Sequence, residues 1–236
     1  MNRYKHVLAA AIAATLLPTV AVAHQGQGAR VTVGGSYQHL AIGQAAGNLP
    51  GIEFGISQRA GGIGIRARLA LARGAGAELD SGSVRLLAYP RNRVSPYLSA
   101  GALSLSSLSG VATETTYSVN PQTGVITPQQ TAVAVPPAGV VTGFVFAGLH
   151  AAIPVNANLS LVGHAAIGAG LGGSVTGLPP AQGARSEVAT SYGVAMRYDL
   201  ADGPTLSVGY DRESIPVRGA TFKSGGVAVS VSYLFH

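Results

Sequence analysis

The stretch Ile63-Gly64-Ile65-Arg66-Ala67-Arg68-Leu69-Ala70-Leu71-Ala72 decides the fold, because two kinds of side chain alternate along it. The odd positions are Ile, Leu or Ala, whereas the even positions are Gly, Ala and two arginines. Successive side chains of a β-strand point to opposite faces, so one face here is aliphatic and the other carries the charges. A helix would scatter the arginines around its surface. The stretch therefore predicts a strand with one apolar face.

The same alternation recurs along most of the chain. In Val141–Ile153 and Leu159–Leu171 the odd positions are largely aliphatic, and in Glu187–Leu200 the even positions are mostly apolar. In Pro96–Ser109 the phase stays open, because Gly101 interrupts it. The pattern predicts about ten strands, with eight as the alternative count, near 29–40, 51–59, 62–73, 82–90, 96–109, 139–153, 158–172, 187–200, 203–213 and 224–235.

The connections between these segments alternate in length. Four are tight and rich in Gly, Asn or Asp, namely 60–62, 90–93, 155–158 and 202–203, whereas 110–138 and 173–186 are long. Short turns on one side and long loops on the other are typical of up-and-down barrels in outer membranes. The expected fold is all-β, a closed antiparallel transmembrane barrel with a long external loop near 110–138.

Composition supports a membrane protein. Only 10% of the 236 residues are charged and the mean hydropathy is +0.33, whereas soluble domains carry about 25% charged residues. The chain contains no Cys, which excludes disulfides, thiolate zinc sites and Cys nucleophiles. After residue 23 no apolar stretch reaches the roughly 18 residues that a spanning helix requires.

The first 23 residues have the features of an export signal. Arg3 and Lys5 precede an apolar run, Val7–Val20, and Ala21-Val22-Ala23 has the small residues of a cleavage site. We expect cleavage after Ala23 and a barrel domain over 24–236. The alternative interpretation is an N-terminal membrane anchor or a buried helix.

A secreted soluble β-sandwich, acting as an adhesin or binding module, would also show alternating strands. Its outer face would be decorated with charges, whereas the polar faces here are mostly Gly, Ala and Ser, and Lys223 is the only Lys after residue 23. Segments of 10 to 14 residues also exceed the usual globular strand of about 5 to 6. These features favour the barrel.

The last segment, Gly226–Phe235, resembles the C-terminal strand of Gram-negative outer-membrane β-barrel proteins. Its alternating apolar residues end in an aromatic one, and they are Val227, Val229, Val231, Tyr233 and Phe235, with His236 following. The resemblance implies recognition by the barrel-assembly machinery and periplasmic chaperones, and contact with outer-membrane lipid and lipopolysaccharide. Val33–Tyr37 and Ser207–Tyr210 are also similar to pieces of porin-like and YfaZ-type small barrels.

Charged residues recur on the faces predicted to line the lumen. They are Glu53, Arg59, Arg66, Arg68, Arg85, Glu187, Arg197, Asp199 and Asp211. Because both signs are present, we expect them to pair as a plug. The alternative is a narrow passive pore whose arginines favour anions. The protein is therefore expected to have a structural or passive-pore role and to be a monomer.

A barrel-embedded hydrolase is the second alternative, and it would use His150 or His164. Both lie on polar faces of neighbouring strands, at comparable heights. The pattern places neither a nucleophile nor an acid beside them, so lumen filling is the favoured role and no catalytic residue is predicted. No cofactor, metal site or nucleic-acid contact is predicted either. With no Trp in the chain, an interfacial girdle has to consist of Tyr37, Tyr97, Tyr192, Tyr198, Tyr210, Tyr233 and Phe235.

Overall fold

The computed structural model describes residues 28–60, 62–74, 76–88, 93–178, 188–200 and 203–235. The predicted signal peptide, Glu187 and His236 lie outside these ranges. The described strands are β1 Ala29–Ile42, β2 Ala45–Ala60, β3 Ile63–Gly74, β4 Ala77–Ala88, β5 Val94–Val119, β6 Ile126–Pro154, β7 Leu159–Thr176, β8 Ala189–Asp199, β9 Thr205–Val217 and β10 Ala220–Phe235. Within the described ranges, no helix is long and apolar enough to cross a membrane.

The strands form one closed antiparallel barrel in which each strand pairs with its neighbours in sequence. Closure comes from β1 and β10, whose register runs from Ala29 opposite Phe235 to Ile42 opposite Phe222. The prediction of an up-and-down barrel is confirmed, with ten strands in the described chain and not eight. A single closed sheet also excludes the β-sandwich, which needs two sheets packed face to face.

The two ends of the barrel differ. Connections of two to five residues join β2 to β3, β4 to β5, β6 to β7 and β8 to β9, and we call this the short-turn end. Turns of two residues join β1 to β2, β3 to β4 and β9 to β10 at the opposite end, so the expected alternation of short and long connections holds only in part. At the other end, the long-loop end, β5 and β6 continue as a paired hairpin to Val119 opposite Ile126. The side chains of 114–134 on this hairpin are all exposed. The segment 110–138, expected as a loop, thus lies mostly in two paired strands.

A register shift between Leu105 and Leu108 marks the point where this hairpin leaves the barrel. Ser107 has φ 58°, a left-handed conformation that is uncommon outside Gly. An extra residue in one strand bends that strand. Just beyond the bulge β5 lies close to β2, because a Cβ added at Gly47 would lie 3.1 Å from Leu108 Cδ1.

The outer surface carries a continuous apolar belt. On β10 the alternate residues Val227, Val229, Tyr233 and Phe235 are 50 to 58% exposed although they are large and apolar. Equivalent positions on the other strands include Val33, Ile52, Leu98, Leu149, Ile167 and Val194. An apolar surface of this extent is unfavourable in water and favourable against lipid.

Tyrosines lie at both borders of the apolar belt on four neighbouring strands, β8, β9, β10 and β1. Tyr37, Tyr192 and Tyr210 lie near the long-loop end, where the polar residues begin, and Tyr198, Tyr233 and Phe235 lie near the short-turn end. Tyr97 was expected in this girdle, and that expectation is wrong. It points into the lumen and is 4% exposed, because the phase of β5, which Gly101 obscured, turns the odd residues inward.

Large apolar side chains fill the long-loop half of the lumen. We call this cluster the apolar plug, and its members are Leu40, Ile42, Leu49, Leu103, Leu105, Leu108, Val140, Ile215, Val217 and Phe222, all essentially inaccessible. They come from β1, β2, β5, β6, β9 and β10. Inward-facing positions near this end are therefore mostly large and apolar. Those nearer the other end include the charged residues, together with the buried Leu87, Tyr97, Phe144 and Phe146.

The turn between β1 and β2 leans over the same end of the barrel. A Cβ added at Gly110 on β5 would lie 3.1 Å from the backbone nitrogen of Ala46 on β2. Gly43 in the turn has φ +59°, and a Cβ there would lie 2.9 Å from Leu178 Cδ2. The positive φ favours Gly at position 43, whereas a side chain at position 110 would need its neighbour to move by a few tenths of an ångström. The turn thus lies against β5 and against Leu178, which follows β7.

Candidate functional site

A network of charged side chains lies below the apolar plug. Arg68 Nη2 on β3 lies 2.6 Å from Glu53 Oε1 on β2, and Arg68 Nη1 lies 3.4 Å from Asp211 Oδ2 on β9. One guanidinium thus bridges two carboxylates on strands that β1 and β10 separate in the closed sheet. Because charges in a narrow lumen lose much of their hydration, this pairing lowers the free energy of the folded barrel relative to an unpaired arrangement.

The structure places the described members of the predicted charge cluster on the lumen side. These are Glu53, Arg59, Arg66, Arg68, Arg85, Arg197, Asp199 and Asp211. Two more charged residues, Arg30 and Glu213, also face the lumen and were not among the predicted residues. The alternation of faces along each strand could have identified them. Arg30 precedes the apolar Val31 and so belongs to the opposite face, and Glu213 is two positions after Asp211 and so shares its face.

Two connected cavities occupy the short-turn half of the lumen. The inner one has a volume of about 210 Å³, and the outer one, at the mouth, has a volume of about 530 Å³. Both are lined by Arg30, Ser57, Arg66 and Arg197. We call the two together the vestibule.

Two arginines are direct neighbours in the vestibule wall. Arg66 on β3 pairs in register with Arg85 on β4, and both side chains face inward. Like charges directly opposite each other destabilise a sheet. The Arg85 guanidinium is partly compensated, because its Cζ lies 4.3 Å from the centre of the Tyr97 ring in a cation–π contact.

The two predicted lumen histidines are also direct neighbours. His150 on β6 and His164 on β7 are paired in register, and both lie on lumen-facing positions. The ring of Tyr97 meets the His164 ring edge-on, with 6.3 Å between the ring centres. His164 is therefore held between aromatic and polar neighbours.

His164 also contacts a serine and an aspartate on other strands. Its Nε2 lies 3.3 Å from Ser191 Oγ on β8, and its Nδ1 lies 3.8 Å from Asp211 Oδ1 on β9. The sequence predicted neither neighbour, because both are brought there by pairing across β7, β8 and β9. Only the registers His164 opposite Gly193 and Gly193 opposite Asp211 place them side by side.

This Ser–His–Asp arrangement has the residue types of a hydrolase and lacks two of the required features. Ser191 is 3% exposed, and its hydroxyl also hydrogen-bonds the Glu213 carboxylate. The Nδ1–Oδ1 distance of 3.8 Å exceeds a hydrogen bond. Among the described residues, no group of three or more His, Asp or Glu is arranged to hold a metal ion.

A closed sheet, a lipid-compatible outer belt and a lumen that carries the charges now define the architecture. The fold is that of the outer-membrane β-barrels. No protein-family profile matches the chain, and no curated protein sequence matches it.

Solved structures similar to the chain are themselves outer-membrane barrels. The Escherichia coli outer membrane protease OmpT has a TM-score of 0.48 and 11% identity, covering 89% of this chain and 96% of OmpT. The translocator domain of the autotransporter NalP from Neisseria meningitidis has a TM-score of 0.43 and 16% identity, and the match covers 98% of each chain. Neisserial surface protein A has a TM-score of 0.41 and 10% identity, and the match covers 88% of this chain and 97% of that protein. The resemblance to YfaZ-type barrels stays a prediction.

Proposed function

We propose that the protein is a closed, non-conducting outer-membrane barrel with a structural role. One observation carries the proposal, namely the apolar plug that fills the long-loop half of the lumen. A water-filled pore needs a continuous polar path, and tightly packed aliphatic side chains provide none. The arginine network below the plug adds a second, charged layer.

The plug differs from the one that the sequence favoured. Charge pairing alone was expected to close the lumen, whereas the structure adds a layer of large apolar side chains such as Leu103 and Phe222. Both layers argue against the passive pore. A catalytic role is not proposed, because the candidate nucleophile Ser191 is almost fully buried.

Export and assembly complete the proposal. The segment 1–23 directs the chain across the inner membrane, and the alternating residues of β10 are recognised by the barrel-assembly machinery. These residues support that role by lying on one outward face, where Val227, Val229, Tyr233 and Phe235 are exposed together. The short-turn end then faces the periplasm, and the β5–β6 hairpin extends outside the cell.

Fractionation and conductance measurements test this proposal. The full chain, expressed in a Gram-negative host, is expected in the outer-membrane fraction and to migrate differently with and without boiling. The folded protein is then expected to give no stepwise conductance in a planar lipid bilayer. Recovery as a soluble monomer without detergent would refute the membrane location, and regular current steps would refute the closed lumen.

A variant that thins the plug sharpens the test. Leu103→Ala combined with Phe222→Ala removes two buried plug side chains, so current through the folded variant is expected to rise above the wild-type level. The matched control, Val227→Ala with Val229→Ala, removes apolar volume from the outer belt and is expected to stay silent. Equal currents from both variants would show that the plug does not close the lumen.

A further inference from the structure

We propose that the vestibule binds a small phosphate-bearing anion that enters from the short-turn end. The outer cavity of about 530 Å³ lies within the size range of small-molecule pockets, roughly 300 to 1,000 Å³. Its described lining contains four arginines, Arg30, Arg59, Arg66 and Arg197, and one acid, Asp199. The mouth of the vestibule therefore has a surplus of positive charge.

The acids deeper in the lumen offset only part of this surplus. Apart from the shared arginines, the inner lining has three acids, Glu53, Asp211 and Glu213, against Arg68 and Arg85, which leaves one negative charge there against a net three positive charges at the mouth. Glu53 and Asp211 bind Arg68, at 2.6 Å and 3.4 Å. Glu213 lies one step further toward the plug, where it hydrogen-bonds Ser191. From the long-loop end to the short-turn end, the lumen thus contains the apolar plug, then the ion-paired network around Arg68, and then the arginines of the mouth.

Asp199 at the mouth is engaged as well. Thr205 Oγ1 donates to Asp199 Oδ1 at 2.5 Å and accepts from Arg30 Nη1 at 3.0 Å. One acid and one arginine are thereby linked through a single hydroxyl. Arg59, Arg66 and Arg197 also take part in interactions within the protein, so the vestibule attracts an anion through its surplus charge and not through unpartnered groups.

The opposition of Arg66 and Arg85 gives a second reason to expect an anion. These two residues are direct neighbours in register on β3 and β4, and both line the inner cavity. An anion between the two guanidinium groups would relieve their repulsion. A guanidinium group can donate two parallel N–H hydrogen bonds to two oxygens of one phosphate. A phosphate monoester also carries a charge of about −1.5 to −2 at neutral pH.

The route of entry follows from the plug. Because apolar side chains fill the long-loop half of the described barrel, the described residues leave the arginines open to a solute from the mouth at the short-turn end. The mouth is lined by Ser57, Ser160 and Gln58 besides the charged residues. These polar side chains fit a hydrated soluble phosphate better than the acyl chains of a lipid.

Titration calorimetry on the folded barrel in a phosphate-free, non-ionic detergent tests the proposal. Inorganic phosphate at low ionic strength is expected to bind saturably at one site, and sulfate is expected to compete. Arg66→Gln and Arg197→Gln are each expected to weaken binding about tenfold or more, since a hydrogen bond to a charged group is worth about 1.5 to 3 kcal/mol. Arg66→Gln keeps a polar side chain at this lumen position and removes one of the surplus positive charges, so this variant is expected to fold.

The matched control is Arg212→Gln, which removes the same charge from an exposed, outward-facing position on β9. Its phosphate affinity is expected to equal that of the wild type. Absence of saturable binding would overturn the proposal, and so would equal weakening in Arg212→Gln. Binding of a short-chain phosphatidic acid without binding of inorganic phosphate would overturn the soluble ligand. The measurement needs no conductance, so its failure is distinguishable from failure of the closed-lumen proposal.

Discussion

His164 and Asp211 approach each other across an intervening strand, with 3.8 Å between Nδ1 and Oδ1. His164 lies on β7 and Asp211 on β9, and the residue between them on β8 is Gly193. A Cβ added at Gly193 would lie 2.7 Å from His164 Cε1 and would also collide with Asp211 Oδ1. The missing side chain therefore makes the contact possible.

Gly193→Ala is expected to destabilise the barrel by about 1 to 3 kcal/mol, because the added methyl forces both side chains to move. The measurement is the denaturant midpoint of the barrel refolded into lipid vesicles. Gly163→Ala is the matched control, since a Cβ there would have its nearest neighbour, Gly193 O, at 3.7 Å. If the two variants were equally stable, His164 and Asp211 would not be packed as described.

Arg68→Met is expected to lower the free energy of unfolding by about 2 to 3 kcal/mol, because it leaves Glu53 and Asp211 without their cation. Breaking fully buried pairs costs about 3 to 5 kcal/mol, and the Arg68 side chain is 36% exposed, so a smaller loss is expected. A double-mutant cycle with Glu53→Gln should give a coupling energy above about 0.5 kcal/mol. If the changes in unfolding free energy of Arg68→Met and Glu53→Gln were additive, the two side chains would not interact as an ion pair.

Val33→Arg places a charge within the apolar belt on β1, where Val33 is 50% exposed. It is expected to cost about 2 to 4 kcal/mol in a lipid bilayer, and His39→Arg, on the same face nearer the long-loop end, about 0 to 1 kcal/mol. Unfolding in vesicles measures both values. Equal costs would mean that the lipid boundary does not lie between the two residues.

Ser191 is expected to resist a fluorophosphonate that labels activated serines, because it is 3% exposed and its hydroxyl bonds Glu213. Mass spectrometry of the folded, treated protein should show unmodified Ser191. Treated Ser191→Ala protein identifies any label at another position. Labelling of Ser191 that disappears in His164→Ala would establish the hydrolase alternative instead.

Much of the lumen chemistry was predictable, because alternation along a strand assigns each side chain to a face. Arg66 and Arg68 were placed on the lumen face from the phase of one segment. Tyr97 was predicted on the outer face and lies in the lumen, because Gly101 obscured the alternation along β5 from which its face would have been assigned. The apolar plug was missed because its members, such as Leu103 and Phe222, are of the same residue types as those that face lipid.

By itself the sequence determined the strands, their two faces and the closed up-and-down order, since these depend on a period of two and on turn residues that are local. Only the tertiary structure decided which lumen residues meet. The neighbours of Arg68 are 15 and 143 positions away along the chain, and the register of the sheet sets their heights. A shift of one residue between two strands would turn one set of side chains to the other face, so register is a property of the assembled barrel.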